Sequence, residues 1–131
     1  MVRILALFAL ALATPTYAKP LTVRMGETWL FAIRHGAPVG ARKTTSATAP
    51  APGQLKVSLQ PLFGATMTVT NASRFDYSYR ATLVLPTGAT GAAKSCVVPA
   101  NGKTAIEQWT KPLAAVRLDH FKPASAGALC P

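Results

Sequence analysis

The stretch TMTVTNASRFDYSYRATLVL, Thr66 to Leu85, decides how this chain folds. It reads as a strand, a short turn and a longer strand. From Phe75 the alternation is nearly strict: Phe75, Tyr77, Tyr79, Ala81, Leu83 and Leu85 face one way, and Asp76, Ser78, Arg80 and Thr82 the other. Successive side chains of an extended chain point to opposite sides, so a period of two with aromatic and aliphatic residues in phase marks a strand with one buried face. The centre of the protein is a β-sheet core.

Toward the N-terminus, Pro61-Leu62-Phe63-Gly64 turns the chain between two alternating runs. Leu55, Val57 and Leu59 lie in phase on one, and Met67, Val69 and Asn71 on the other, with Thr66, Thr68 and Thr70 opposite. This predicts a hairpin with a threonine-rich outer face, where β-branching suits the strand and the hydroxyl meets water. Further upstream, Gly36 to Gly53 (GAPVGARKTTSATAPAPG) is rich in Ala, Pro, Thr and Gly and has no apolar period. Such composition predicts a long flexible loop, residues 36–53, carrying the cationic pair Arg42-Lys43. Thr28 to Arg34 alternates again, with Trp29, Phe31 and Ile33 as core candidates, and Lys19 to Met25 leads in as an edge strand.

Toward the C-terminus, Pro86 to Lys94 reads as a second loop and Ser95 to Val98 as a short strand holding Cys96. Asn101-Gly102 is the clearest turn signal, since both residues tolerate positive φ; it predicts a type I′ hairpin with Thr104 to Trp109 as the returning strand. Leu113 to Phe121 reads as the last strand, with a short helix as the alternative, and Lys122 to Pro131 as a tail. Seven or eight short strands at intervals of about ten residues predict an all-β fold, an antiparallel β-sandwich that is immunoglobulin-like in the broad sense. A small closed β-barrel is the alternative. The Cys…Trp…Cys spacing of immunoglobulin domains is absent.

Several runs resemble those of small exported proteobacterial proteins with no assigned function: Thr66 to Asn71, Asp76-Tyr77-x-Tyr79-Arg80-Ala81, Ser95-Cys96, Glu107-x-Trp109, and Val116-Arg117-Leu118 followed by Phe121. The resemblance covers roughly the C-terminal half. It implies an export compartment and a β-sandwich-like fold, and it carries over no catalytic or binding residue.

The N-terminus agrees on the compartment. Arg3 precedes an apolar run from Ile4 to Ala13, and Thr16 and Ala18 supply the small residues of a cleavage site. This is the pattern of a secretory signal peptide, residues 1–18, cut after Ala18. The run is too short to span a bilayer, which takes about 20 apolar residues. No Cys follows it to anchor a lipid, and no later stretch reads as a transmembrane segment. The expected mature chain is one domain, residues 19–131, that is periplasmic or secreted. In that compartment the two cysteines, Cys96 and Cys130, read as a disulfide.

Removing Arg3 from the fourteen Lys and Arg leaves thirteen bases against four acids, a formal +9. A field of that sign favours anionic partners; nucleic acid fits the sign but not the compartment. The bases are dispersed in sequence, and Arg42 and Lys43 are the candidate anion-binding pair because a loop can carry them to a surface. No catalytic motif is present. Asp119 and His120 are adjacent, so on a regular strand they face opposite sides and do not pair. The four acids, Glu27, Asp76, Glu107 and Asp119, are scattered and read as partners of neighbouring bases. Neither a metal-ligand spacing nor a cofactor motif appears. Asn71-Ala72-Ser73 matches a glycosylation sequon. The sequence thus reads as an exported, non-enzymatic protein that binds an anionic component of the cell envelope. Two other readings stand beside it: a protein-interaction module, such as an inhibitor or accessory subunit, and a copper-handling protein using Met25, Met67, His35 and His120.

Overall fold

The computed structural model describes residues 19–124. The segment read as a signal peptide and the final seven residues, Cys130 among them, lie outside the described residues. Among the described residues nine strands form: β1 (Leu21–Arg24), β2 (Thr28–Arg34), β3 (Ala37–Thr44), β4 (Leu55–Gln60), β5 (Ala65–Asn71), β6 (Tyr77–Val84), β7 (Thr90–Ala93), β8 (Lys103–Trp109) and β9 (Ala115–Pro123). They make two antiparallel sheets, one ordered β1-β9-β6-β7 and the other β3-β2-β4-β5-β8. The sheets do not close into a barrel; they stack as a sandwich.

The stretch Thr66–Leu85 supplies an interior strand to each sheet, β5 to one and β6 to the other. Its turn is therefore a crossover between layers, not a hairpin. Asn71 holds it. The residue is fully buried, donates Nδ2 to the carbonyls of Phe75 (2.7 Å) and Val98 (3.2 Å), and accepts the Ser73 amide on Oδ1 (2.9 Å). Those bonds leave the sequon asparagine no free amide hydrogen for a sugar. The core between the layers gathers Val23, Phe31, Leu55, Val57, Leu59, Met67 and Val69 with Tyr77, Tyr79, Leu83, Val116, Leu118 and Phe121. Each large aliphatic or Phe side chain so buried stabilises the fold by about 1.5–3 kcal/mol relative to exposure. Phe121 organises the aromatic part: Tyr79 stacks on it at 5.4 Å, and Phe31 and Tyr77 meet it at 5.6 and 6.2 Å.

Five expectations are corrected. Residues 36–53 are not a loop throughout, because β3 occupies Ala37–Thr44. As an edge strand it buries only Ala37, so nothing selects an apolar period. A type I′ turn, His35 (φ 50) and Gly36 (φ 77), links it to β2, and Gly40 (φ 60) sits in the bulge where the two strands fall out of register. The segment after β3 folds back over the outer face of the sheet: Lys56 Nζ donates to the Ser46 carbonyl, and Thr44 Oγ1 donates to Thr48 Oγ1 at 2.8 Å. Leu30, which points away from the core, is only 1% exposed.

Second, the stretch from Pro86 to Lys94 contains β7, a short strand of small exposed residues that pairs with β6. Third, residues 95–98 do not form a strand; Val98 alone bridges to Tyr77. Asn101 (φ 65) and Gly102 (φ 81) have the expected turn backbone, yet they close no hairpin. Their amides donate to the carbonyls of Ser73 and Asn71, and the chain passes into β8, which pairs with β5. At the C-terminus β9 is a strand and not a helix. Phe75 lies ahead of β6 and is 57% exposed, outside the core that the alternation assigned to it.

Candidate anion-binding end of the sandwich

One end of the sandwich gathers both histidines. His35 is at the β2–β3 turn. His120 is in β9, where Ser78 pairs with Lys122 and Arg80 with Asp119, so β9 carries one residue more than β6 between those pairs. The surplus is accommodated as a bulge, and His120 takes φ 51 there. Glycine is the usual occupant of a left-handed bulge position, and a side chain held there costs about 1–3 kcal/mol. Both histidines thus sit in a disfavoured backbone region, and both line the same cavity of about 490 Å³, with Gly36, Pro38, Asp119, Phe121 and Lys122. The two layers are tied at its wall, where the Phe121 amide donates to the Gly36 carbonyl at 2.9 Å. The contact is close enough that a Cβ on Gly36 would lie 3.1 Å from the Phe121 carbonyl oxygen.

The bulge also overturns the expectation that Asp119 and His120 cannot pair. Left-handed backbone breaks the alternation, and His120 Nδ1 lies 3.3 Å from Asp119 Oδ1. The stronger partner of Asp119 is Arg80, which donates Nε to Oδ1 (2.9 Å) and Nη2 to Oδ2 (2.7 Å). The Arg80 guanidinium, and secondarily His120, hold the Asp119 carboxyl below the usual carboxylate range. Its negative charge is therefore matched before any ligand arrives.

A second cavity of about 430 Å³ opens at the same end, lined by Ile33, Gly53, Ser73, Arg74, Phe75 and Tyr77 among others. Tyr77 joins the two regions, edge-on to Phe121 at 6.2 Å and to Phe75 at 6.3 Å. Arg34, exposed, precedes His35. The end therefore presents Arg34, Arg74, Lys122 and two histidines, all exposed, together with the exposed ring of Phe75. Among the described residues Asp119 is the only acid lining either cavity.

Arg42 and Lys43 are elsewhere. Both belong to β3. Lys43 forms an ion pair with Glu27 (2.7 Å) and lies 5.9 Å from the Trp29 ring centroid. Glu27 also accepts the Arg24 amide and Trp29 Nε1, and Lys43 draws its carboxyl below the ordinary range. The pair named from sequence is thus half neutralised. The remaining acids accept backbone amides, Asp76 from Ala100 (2.7 Å) and Glu107 from Cys96. Every acid of the chain is engaged in holding structure.

The copper constellation does not assemble. Met67 is buried in the core, and Met25 bonds to Ala114 beyond the far end of β9, opposite the histidines. Among the described residues no group of three or more His, Cys, Asp and Glu is placed to hold a metal ion. The assembly of the cationic end was hidden in the sequence. Arg34, Arg74 and Lys122 lie far apart in the chain, and nothing local announces a bulge at His120. Only His35-Gly36 carried a usable turn signal.

Among the described residues no helix is long and apolar enough to cross a membrane. Comparison with protein-family models, with curated proteins and with solved structures finds no match to this chain.

Proposed function

We propose that this protein is an exported, non-enzymatic binding module that holds an anionic component of the cell envelope at the histidine end of its sandwich. One observation carries the reading: two cavities at one end, lined by His35, His120 and Lys122 in one and by Arg74 in the other, whose single lining carboxylate among the described residues is already matched by Arg80. The leader-like N-terminus supports the compartment. The engagement of all four acids in structural bonds favours binding over general acid–base chemistry.

A soluble polyanion tests the site without a membrane. Inorganic pyrophosphate titrated calorimetrically into the protein at low salt should bind and should weaken steeply as salt rises, because the screening length shortens to about 8 Å at physiological ionic strength. Replacing Arg74 and Lys122 together by Ser should lower affinity about 30-fold, on the order of 1 kcal/mol per base. Replacing Arg42 and Lys43 by Ser should leave it within about twofold. Equal loss from both pairs, or no binding at low salt, overturns the assignment.

A further inference from the structure

At the opposite end, the β4–β5 turn Pro61-Leu62-Phe63-Gly64 shows its apolar side chains to solvent. Phe63 is 85% exposed and Leu62 50% exposed. Phe63 also has φ 50, a region that aromatic residues seldom adopt. The conformation is fixed from both sides. Thr66 Oγ1 donates to the Leu62 carbonyl at 2.8 Å. Gly64 (φ 96) packs so tightly on the β8 terminus that a Cβ would fall 2.4 Å from the Trp109 carbonyl oxygen. The fold thus holds a phenylalanine in strained backbone and gains no packing from it. Strain without a structural return marks a functional position.

The surroundings select the occupant. Lys111 is exposed and follows Thr110, against which Gly64 rests; the acids toward this end, Glu27 and Glu107, are already engaged by Lys43 and by the Cys96 amide. A two-residue convex tip is far smaller than the roughly 800 Å² per partner of a stable protein interface. A lipid interface requires no such area; one or two apolar side chains can enter the boundary between headgroups and acyl chains while cations meet the headgroups. We propose that Leu62 and Phe63 form an insertion tip for an anionic lipid surface, with Lys111 at headgroup level. This stands independently of the anion-binding end, which it would leave facing away from the bilayer.

Sedimentation with vesicles of phosphatidylcholine containing phosphatidylglycerol, using the full chain, tests the tip. Phe63→Asn removes the apolar ring and suits left-handed backbone, so it should fold and melt a few degrees higher. Its vesicle partition should fall about tenfold or more, the scale set by burying one Phe side chain. Leu62→Ser should fall in the same direction. Phe63→Trp should shift its emission to the blue on vesicles and be quenched by brominated acyl chains, beyond the signal of Trp29 and Trp109 in the wild type. Pyrophosphate affinity should be unchanged in Phe63→Asn, which separates this site from the histidine end. A wild-type chain that ignores these vesicles overturns the proposal. So does Phe63→Asn partitioning like wild type.

Discussion

Gly64 is the residue at which the fold tolerates least. A methyl group there would meet the Trp109 carbonyl oxygen at 2.4 Å and the Thr110 carbonyl carbon at 2.6 Å, and φ 96 already disfavours any side chain. Both obstacles are backbone, so neither can rotate away. Gly64→Ala should therefore cost about 3 kcal/mol or more, read as a lower denaturant midpoint at unchanged slope. Individual residues were unevenly legible. Tyr77, Tyr79 and Leu83 are buried as their alternation required, and Met67 and Val69 likewise. Asn71 fell in phase with them, but its role could not be read, because its partners Phe75 and Val98 are fixed by tertiary placement. His120 was misread for a related reason: one surplus residue in β9 reverses the rule that neighbours face apart.

At the scale of elements, strands with one buried face could be read and exposed edge strands could not. β3 and β7 bury almost nothing, so their sequences record only small or polar residues that a loop would also use. Edge strand β3 is also defended: Pro38, the Gly40 bulge and the cations Arg42 and Lys43 all discourage another strand from pairing there. Two carboxylates clamp neighbouring elements, Glu27 at the head of β2 to Lys43 on β3 and Asp119 on β9 to Arg80 on β6. Both have folded-state pKa values below the ordinary range. Their contribution is therefore present above the unfolded values and is lost as pH falls through the folded ones. The melting temperature should stay flat from neutral pH to about pH 5 and decline below about pH 4. Glu27→Gln combined with Asp119→Asn should lower it at pH 7 and flatten that decline. The basic partners are solvent-exposed, so each pair is worth only about 0.2–1 kcal/mol.

For the whole molecule, the two-layer architecture followed from strand count and spacing, whereas strand order did not. Order depends on which distant strand each one meets, and no local pattern encodes that; the Asn101-Gly102 turn was read correctly in backbone yet assigned the wrong neighbour. The proposed Cys96–Cys130 bridge acts at this scale too. It would close a loop of about 35 residues, for which the chain-entropy relation gives about 4 kcal/mol less strain. Cys130→Ser should lower the melting temperature clearly in oxidising buffer and hardly at all in reductant; two reactive thiols in the native protein would dismiss the bridge. The pairing of β1 with β9 has its own consequence, and it concerns time. Among the described residues β1 is the first strand and β9 the last, and within its sheet β1 has no other neighbour. A chain that emerges N-terminus first, from a ribosome or through a translocation pore, must hold Leu21 and Val23 waiting until Val116 and Leu118 arrive. Contacts so distant along the chain make closure slow. The four-stranded layer can be completed only after the last strand has emerged.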